Sequence, residues 1–329
     1  MFLLYKRLLS AIIVLSVAGI FLGSYVRLSN AGLGCPDWPG CYGHFWVPKT
    51  VNEVLSAEKR YGTAFFYGLA SREMIHRYVV SLLGLLIVTM FFLTFFYSSI
   101  DKRLSRERSW VTCLLLLVIS QGLFGMWTVT LKLWPIIVTT HLMGGILTFC
   151  LAIWMFCRVS NIHKGSTVSL PVRLLSITVL LMLALQILLG GWVSTNYAGL
   201  SCESLLRCNG KLVPNMNFAL AFSLEPYPAL MIIPPVAQVT VLWLHRLWAM
   251  FVTAGVLFLS VKLYMKRYIL VSVAMTILVF LQIIFGISNI IFHLPKFVAV
   301  SHTVCAAMLL ASLLIANYLI FYSSRDVSN

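Results

Sequence analysis

The sequence predicts an all-α polytopic membrane protein of eight transmembrane helices, arranged as two tandem four-helix units. The mean hydropathy is +0.96 over 329 residues, and only 10% of the residues are charged. A soluble core could not absorb so much apolar surface, and apolar runs of membrane-spanning length recur along the whole chain. The two halves also share sequence motifs.

The apolar runs predict the helices individually. Their approximate bounds are 8–28, 73–98, 109–131, 136–157, 173–195, 237–261, 268–292 and 297–321. The first run is too long for a removable signal peptide and lacks a small-residue cleavage site, so it is expected to remain as a helix.

An internal repeat relates the two halves. "LGSYVRLSNAGLGC" (22–35) aligns without gaps with "LGGWVSTNYAGLSC" (189–202), and "QGLFG" (121–125) matches "QIIFG" (282–286). Each unit has an even number of helices, so the copies share one orientation and a pseudo-two-fold axis along the membrane normal is expected.

The predicted domains follow from this repeat. They are an amino-terminal unit over 1–158, a cytoplasmic linker over 159–172 and a carboxyl-terminal unit over 173–329.

Basic residues predict the orientation, because short cytoplasmic loops collect Lys and Arg. Of the 24 basic residues, 13 fall on one side, namely Lys6, Arg7, Lys102, Arg103, Arg106, Arg108, Arg158, Lys164, Arg173, Lys262, Lys266, Arg267 and Arg325. Both termini are therefore expected in the cytoplasm of a bacterial-type inner membrane. The two long loops, 29–72 and 196–236, are expected outside. The net charge of +15 then reflects topology and contact with anionic lipids rather than nucleic-acid binding.

Each long loop contains a Cys-x5-Cys pair, Cys35 with Cys41 and Cys202 with Cys208. The outer compartment permits disulfides. Unpaired thiols or a metal clip are the alternatives, but no histidine or third cysteine recurs at matching positions in both loops. Disulfides Cys35–Cys41 and Cys202–Cys208 are therefore predicted.

Four histidines, His76, His141, His245 and His302, occupy equivalent repeat positions on the second, fourth, sixth and eighth helices. An ionisable side chain inside a bilayer is costly and suggests function. Two imidazoles on facing helices are suited to clamp a haem iron from both sides. Zinc would need three or four ligands, and each unit offers two histidines without a consistent third group.

Neighbouring residues bear on the haem interpretation. Gly84, Gly144, Gly145 and Gly255 either leave room for a flat macrocycle or allow close helix packing. Arg77 and Arg246 would lie near the haem propionates, although each could simply reach the membrane interface.

These features together resemble the haem A synthase family. The resemblance rests on the tandem four-helix units, the cysteine pair in each long loop, the helix motif "ExxHR" (Glu73, His76, Arg77) and the repeated histidines. It covers nearly the whole chain. It implies an oxidoreductase that converts a ring methyl of haem O to a formyl group, giving haem A for cytochrome c oxidase assembly.

The resemblance also implies roles for individual residues. His245 and His302 would bind a haem b (protohaem IX) cofactor, and His76 and His141 would bind the substrate haem O. Glu73 would be the catalytic carboxylate, whereas the repeat has Leu242 at that position. The alternative for Glu73 is a simple contact with Arg72, Arg77 or the outer membrane interface.

The resemblance implies a haem O synthase as supplier and a quinol or ferredoxin-like electron donor in the membrane, and leaves open whether the chain forms a homo-oligomer. The disulfides would hold a lid over a haem pocket, or alternatively pass electrons. A di-haem b electron carrier is the main rival function. A transporter is disfavoured because the polar residues cluster near one face and no paired midplane breaks occur.

Overall fold

The computed structural model describes residues 1–160, 168–205, 207–225 and 232–322, and the regular secondary structure in these ranges is helical. In chain order the helices are α1 (Phe2–Leu28), α2 (Val51–Tyr61), α3 (Tyr67–Tyr97), α4 (Lys102–Ser105), α5 (Arg108–Thr130), α6 (Pro135–Val159), α7 (Leu170–Thr195), α8 (Phe218–Ala221), α9 (Pro235–Met265), α10 (Ile269–Ile291) and α11 (Lys296–Tyr322).

Within the described ranges, eight helices are long and apolar enough to cross a membrane, which confirms the predicted number: α1, α3, α5, α6, α7, α9, α10 and α11. Many of their exposed side chains are apolar, such as Phe96 and Met250. Two helices begin six residues earlier than predicted, α1 at Phe2 and α3 at Tyr67. An apolar run ends at its first charged residues, whereas the helix continues through them because its backbone hydrogen bonds do not depend on side-chain polarity.

The chain forms two compact units, Met1–Phe149 and Cys150–Asn329, with the boundary inside α6. In the first unit α3 packs against α1 and α5. In the second unit α9 packs against α7 and α10, and α11 packs against α7 and α10. The predicted linker lies partly outside the described residues. Lys164 and Arg325 lie outside them. The roles of the units and their symmetry axis stay predictions.

The first long loop is a folded layer rather than an irregular connection. Its helix α2 begins with a capping box between Thr50 and Glu53 and ends at Gly62, which adopts the left-handed conformation. A buried cluster joins this loop to the start of α3 and contains Cys35, Cys41, Tyr42, Val47, Ala57, Ala70 and Met74. The pattern of apolar runs does not predict α2 because this helix is polar on most of its surface.

Candidate functional site

His76 on α3 lies directly against the backbone of α1. A Cβ placed on Gly23 would sit 3.0 Å from Cε1 of His76, closer than the separation of about 3.5 Å at which carbon atoms make optimal contact. The second unit repeats this arrangement, with a Cβ on Gly190 of α7 lying 3.0 Å from Cε1 of His245 on α9. Glycine therefore lets each helix pair hold a histidine between its backbones.

The other two histidines also face glycines, at a looser distance. A Cβ on Gly125 would lie 3.5 Å from Cε1 of His141, and one on Gly286 would lie 3.5 Å from Cε1 of His302. The tight and loose contacts thus occur at corresponding positions in both units.

The structure brings the four histidines together in the expected pairs. His76 interacts electrostatically with His141, and His245 interacts with His302. Each residue is partly exposed, whereas its Nδ1 atom is buried and has no hydrogen-bond partner in the described part of the chain. Because a buried nitrogen without a partner is costly, these rings are suited to receive a bound group.

The available donors fit a haem iron better than a metal ion held by protein side chains alone. Among the described residues, no group of three His, Cys, Asp or Glu side chains could hold a metal ion. Zinc sites need at least three protein ligands, whereas a haem iron needs only axial ligands from the protein. A pair of imidazoles packed against glycines meets that requirement in each unit.

The glycines singled out from the sequence are not the ones that contact the histidines. A Cβ on Gly144 would clash with the side chain of Gln121, and one on Gly255 would meet Val179 at 3.2 Å, so these two serve close packing. Gly84 and Gly145 have open space beside them. The repeat contained the correct signal, because Gly23 and Gly190 align with each other.

Glu73 is 4% exposed and both of its carboxylate oxygens are engaged. Oε2 accepts a hydrogen bond of 2.9 Å from the backbone N–H of Cys35, and Oε1 pairs with Nη2 of Arg77 at 2.5 Å. Arg72 instead lies over the ring of Tyr25. The ion pair with Arg77, considered above as an alternative, is therefore present, and it orients the carboxylate.

Arg77 ties the first disulfide-bonded segment to α3. Its Nη1 donates to the backbone carbonyls of Asp37 at 3.0 Å and Pro39 at 3.2 Å, and it also donates to that of Gly40. Arg77 therefore does more than reach the membrane interface, the alternative considered above. Its guanidinium holds the loop and Glu73 at the same time.

Arg246 occupies the matching position in the second unit but has a different environment. Its Nη1 donates to the carbonyls of Ser204 at 2.7 Å and Leu205 at 3.3 Å. Leu242, which is 5% exposed, stands where the first unit has Glu73. The Nε and Nη2 atoms of Arg246 are buried and lack a hydrogen-bond partner among the described residues.

Both predicted disulfides are confirmed. Cys35 and Cys41 are bonded with their Cα atoms 4.8 Å apart, and Cys202 and Cys208 are bonded with theirs 4.4 Å apart. The metal-clip alternative is therefore wrong in this structure.

A two-residue turn follows each disulfide. The backbones of Cys41 and His44 exchange two hydrogen bonds, as do those of Cys208 and Lys211. Both central residues of each turn have positive φ, as in a type I′ turn: Tyr42, Gly43, Asn209 and Gly210. The Asn-Gly dipeptide at 209–210 is a sequence signal for this turn.

Asp37 organises the first turn. Its carboxylate accepts hydrogen bonds from the backbone N–H groups of Tyr42 at 2.6 Å and Gly43 at 2.7 Å, and from the hydroxyl of Tyr61 at 3.1 Å. Burial, together with the neighbouring Asp37 carboxylate, raises the pKa of Tyr61. This contact connects the turn to α2.

Glutamine side chains support the histidine pair of the second unit. Nε2 of Gln186 on α7 donates to the carbonyl of His245 at 3.1 Å, and Nε2 of Gln282 on α10 donates to that of His302 at 2.8 Å. The ungapped repeat places Gly19 opposite Gln186, so the first unit has no side chain at that position. The two histidine pairs therefore differ in their immediate surroundings.

A cavity of about 280 Å³ lies in the second unit, between the disulfide-bonded segment and the end of α10. Its lining includes Glu203, Ser204, Ile290 and His293, and none of the four paired histidines. It adjoins the carbonyl groups that bind Arg246 rather than the histidine pair itself.

The fold and the site define a class of multi-pass membrane protein in which two pairs of histidines face glycines on neighbouring helices, each beside a disulfide-bonded loop. Residues 6–314 match the COX15-CtaA family, described as "Cytochrome oxidase assembly protein". The chain belongs to this family.

Curated relatives match the chain over nearly its full length. A protein of Shewanella oneidensis named "Heme A synthase" is 37% identical, with 98% of each chain covered. Proteins of the same name from Neorickettsia sennetsu and from the Wolbachia of Brugia malayi are each 27% identical. The alignments cover 93% of this chain and 96% of the Neorickettsia protein, and 92% of both chains for the Wolbachia protein.

Proposed function

We propose that this oxidoreductase is a haem A synthase that oxidises a ring methyl of haem O to a formyl group by successive oxygenation. Family membership and the names of the full-length relatives favour this function over a di-haem electron carrier. One structural observation carries the proposal further. Both histidine pairs face glycines, but among the described residues a buried carboxylate, Glu73, lies beside the first pair, whereas the buried Leu242 holds the matching position in the second. An electron carrier has no need for this difference.

The second unit is the cofactor site in this proposal, where His245 and His302 would hold haem b. Their Nδ1 atoms are buried without partners in the described ranges, and Gln186 and Gln282 hold the backbone carbonyls of the two ligands. Bound haem b would supply one-electron redox chemistry. The protein's part is to hold both imidazoles in place and to keep water away.

The first unit is the substrate site, where His76 and His141 hold haem O. Glu73 lies one helical turn before His76, so both side chains address the same face of α3. Arg77 and the Cys35 N–H fix the two carboxylate oxygens. An oriented carboxylate is suited to accept or return a proton while the methyl group is oxidised.

The orientation in the membrane and the partners belong to the same proposal. Basic residues in the short connections support cytoplasmic termini in an inner membrane, which places both disulfide-bonded loops outside. The first loop would then act as a lid that excludes water, held closed by Arg77. A haem O synthase would supply the substrate, and a quinol or ferredoxin-like donor would supply electrons.

The decisive experiment combines haem extraction with optical spectra of the purified protein. A synthase should yield haem b together with haem O, haem A or an intermediate, whereas a carrier should yield haem b alone. His245→Ala and His302→Ala should each abolish the low-spin bis-histidine spectrum. His293→Asn is the matched control, because His293 is exposed and has a φ of 53°, a conformation that asparagine tolerates. An unchanged spectrum in both alanine variants would refute the ligand assignment.

A further inference from the structure

The two arginines that follow the α3 and α9 histidines hold their loops alike. In each unit Nη1 of the arginine donates to backbone carbonyls of the disulfide-bonded segment: Arg77 to Asp37 and Pro39, and Arg246 to Ser204 and Leu205. The Nε and Nη2 donors of each guanidinium do not take part in these contacts with the loop.

The surroundings of these remaining donors differ between the units. The Nη2 atom of Arg77 is neutralised by Glu73 at 2.5 Å, with both side chains largely buried. In the second unit Leu242 replaces the glutamate, and Nε and Nη2 of Arg246 are buried with no hydrogen-bond partner in the ranges described. The described residues also include no salt bridge to Arg246. A buried cationic fork without an acceptor is costly and calls for an anion.

The geometry of the free atoms specifies the kind of anion. Nε and one Nη of a guanidinium form two parallel donors, which match the two oxygens of a carboxylate. Arg246 directly follows His245, and adjacent helical side chains point about 100° apart. A ligand held at His245 could therefore present a carboxylate to Arg246 without crowding the imidazole.

We propose that Arg246 binds a carboxylate of the ligand held by His245 and His302, and that Glu73 fills the equivalent position beside Arg77 internally. This inference rests on the proposed function, in which that ligand is haem b and the carboxylate is a propionate. The second unit then retains its haem through an extra charged contact. The first unit satisfies its arginine within the protein, so haem O is bound without that contact and the product can leave.

Loss of haem from the second unit tests this difference. Transfer of haem b from the purified full-length protein to apomyoglobin should be about tenfold faster in Arg246→Gln, the effect of one charge-assisted hydrogen bond. Leu242→Glu should have a similar effect, because the new carboxylate would occupy Arg246 as Glu73 occupies Arg77. Leu242→Gln is the matched control and should change the rate much less. Equal rates in the Glu and Gln variants would overturn the proposal.

A second measurement compares two ligands, with and without free carboxylates, in the wild-type protein, so it does not depend on how well a variant folds. The wild-type protein should prefer haem b over its dimethyl ester by about tenfold, with both giving a bis-histidine spectrum, and Arg246→Gln should lose the preference. Equal affinity of the wild-type protein for the two compounds would refute the role of Arg246 and leave the cofactor site intact. Failure of both compounds to give a bis-histidine spectrum would instead refute the proposed cofactor site.

Discussion

Substitution of Gly190 by alanine tests whether the contact between α7 and α9 positions His245, the proposed haem ligand. The new Cβ would lie 3.0 Å from Cε1 of His245 and 3.7 Å from both ring nitrogens. Optimal carbon contacts begin at about 3.5 Å, so the ring must retreat by roughly 0.5 Å. The imidazole can move more easily than either backbone, and its displacement would disturb the proposed haem ligand.

The expected magnitude follows from that overlap. Overpacking of this kind costs about 1–3 kcal/mol, which corresponds to roughly five- to 150-fold weaker binding of haem. Alanine also favours helix over glycine by up to about 1 kcal/mol, so the fold itself should remain intact. Haem retention should therefore fall while thermal unfolding of the haem-free protein changes little.

Gly286→Ala is the matched control for this prediction. It brings the same gain in helix propensity, but its Cβ would lie 3.5 Å from Cε1 of His302, an ordinary contact. The assay is haem transfer to apomyoglobin, followed at the low-spin absorption band. Equal transfer rates in the Gly190 and Gly286 variants would show that the close approach of α7 does not position His245.

Three further predictions concern the first unit and the long loops. Glu73→Gln should abolish haem A production and accumulate haem O or a hydroxylated intermediate, with the haem b spectrum retained; near-normal haem A in extracted membranes would remove Glu73 from the mechanism. Mass spectrometry without reductant should recover the two disulfide-linked cysteine pairs, and full alkylation of all four thiols in fresh membranes would contradict the structure. The backbone N–H groups of Lys49 and Thr50 donate to Glu53 and lower its pKa. The Glu53 cap therefore stabilises α2 fully above the ordinary glutamate pKa of about 4.3. This stabilisation is lost as the pH falls through the lowered pKa of Glu53. Hydrogen exchange in α2, corrected for intrinsic rates, should therefore accelerate as the pH falls below the ordinary glutamate pKa, and Glu53→Gln should show no such pH dependence.

The sequence by itself determined the eight membrane helices, the four repeated histidines and the two cysteine pairs. A membrane span depends on local length and apolarity, so it can be recognised without knowing where the chain goes next. The repeat added long-range information, because positions that recur in both halves point to the same local structure. That is how His76 could be matched with His245, and Cys35 with Cys202, before any contact was known.

Only the tertiary structure decided which groups surround those residues. The loop carbonyls that accept hydrogen bonds from Arg77 lie 37 to 40 residues before it in the chain, and the glycine against His76 is on another helix. No local pattern encodes such pairings, because they depend on how the first long loop folds back onto α3. The contrast between a neutralised Arg77 and an Arg246 that lacks a second partner in the described ranges emerged in the same way. The sequence shows a glutamate in one half of the repeat and a leucine in the other. Only the folded structure shows that this leaves the two arginines with different buried charge partners.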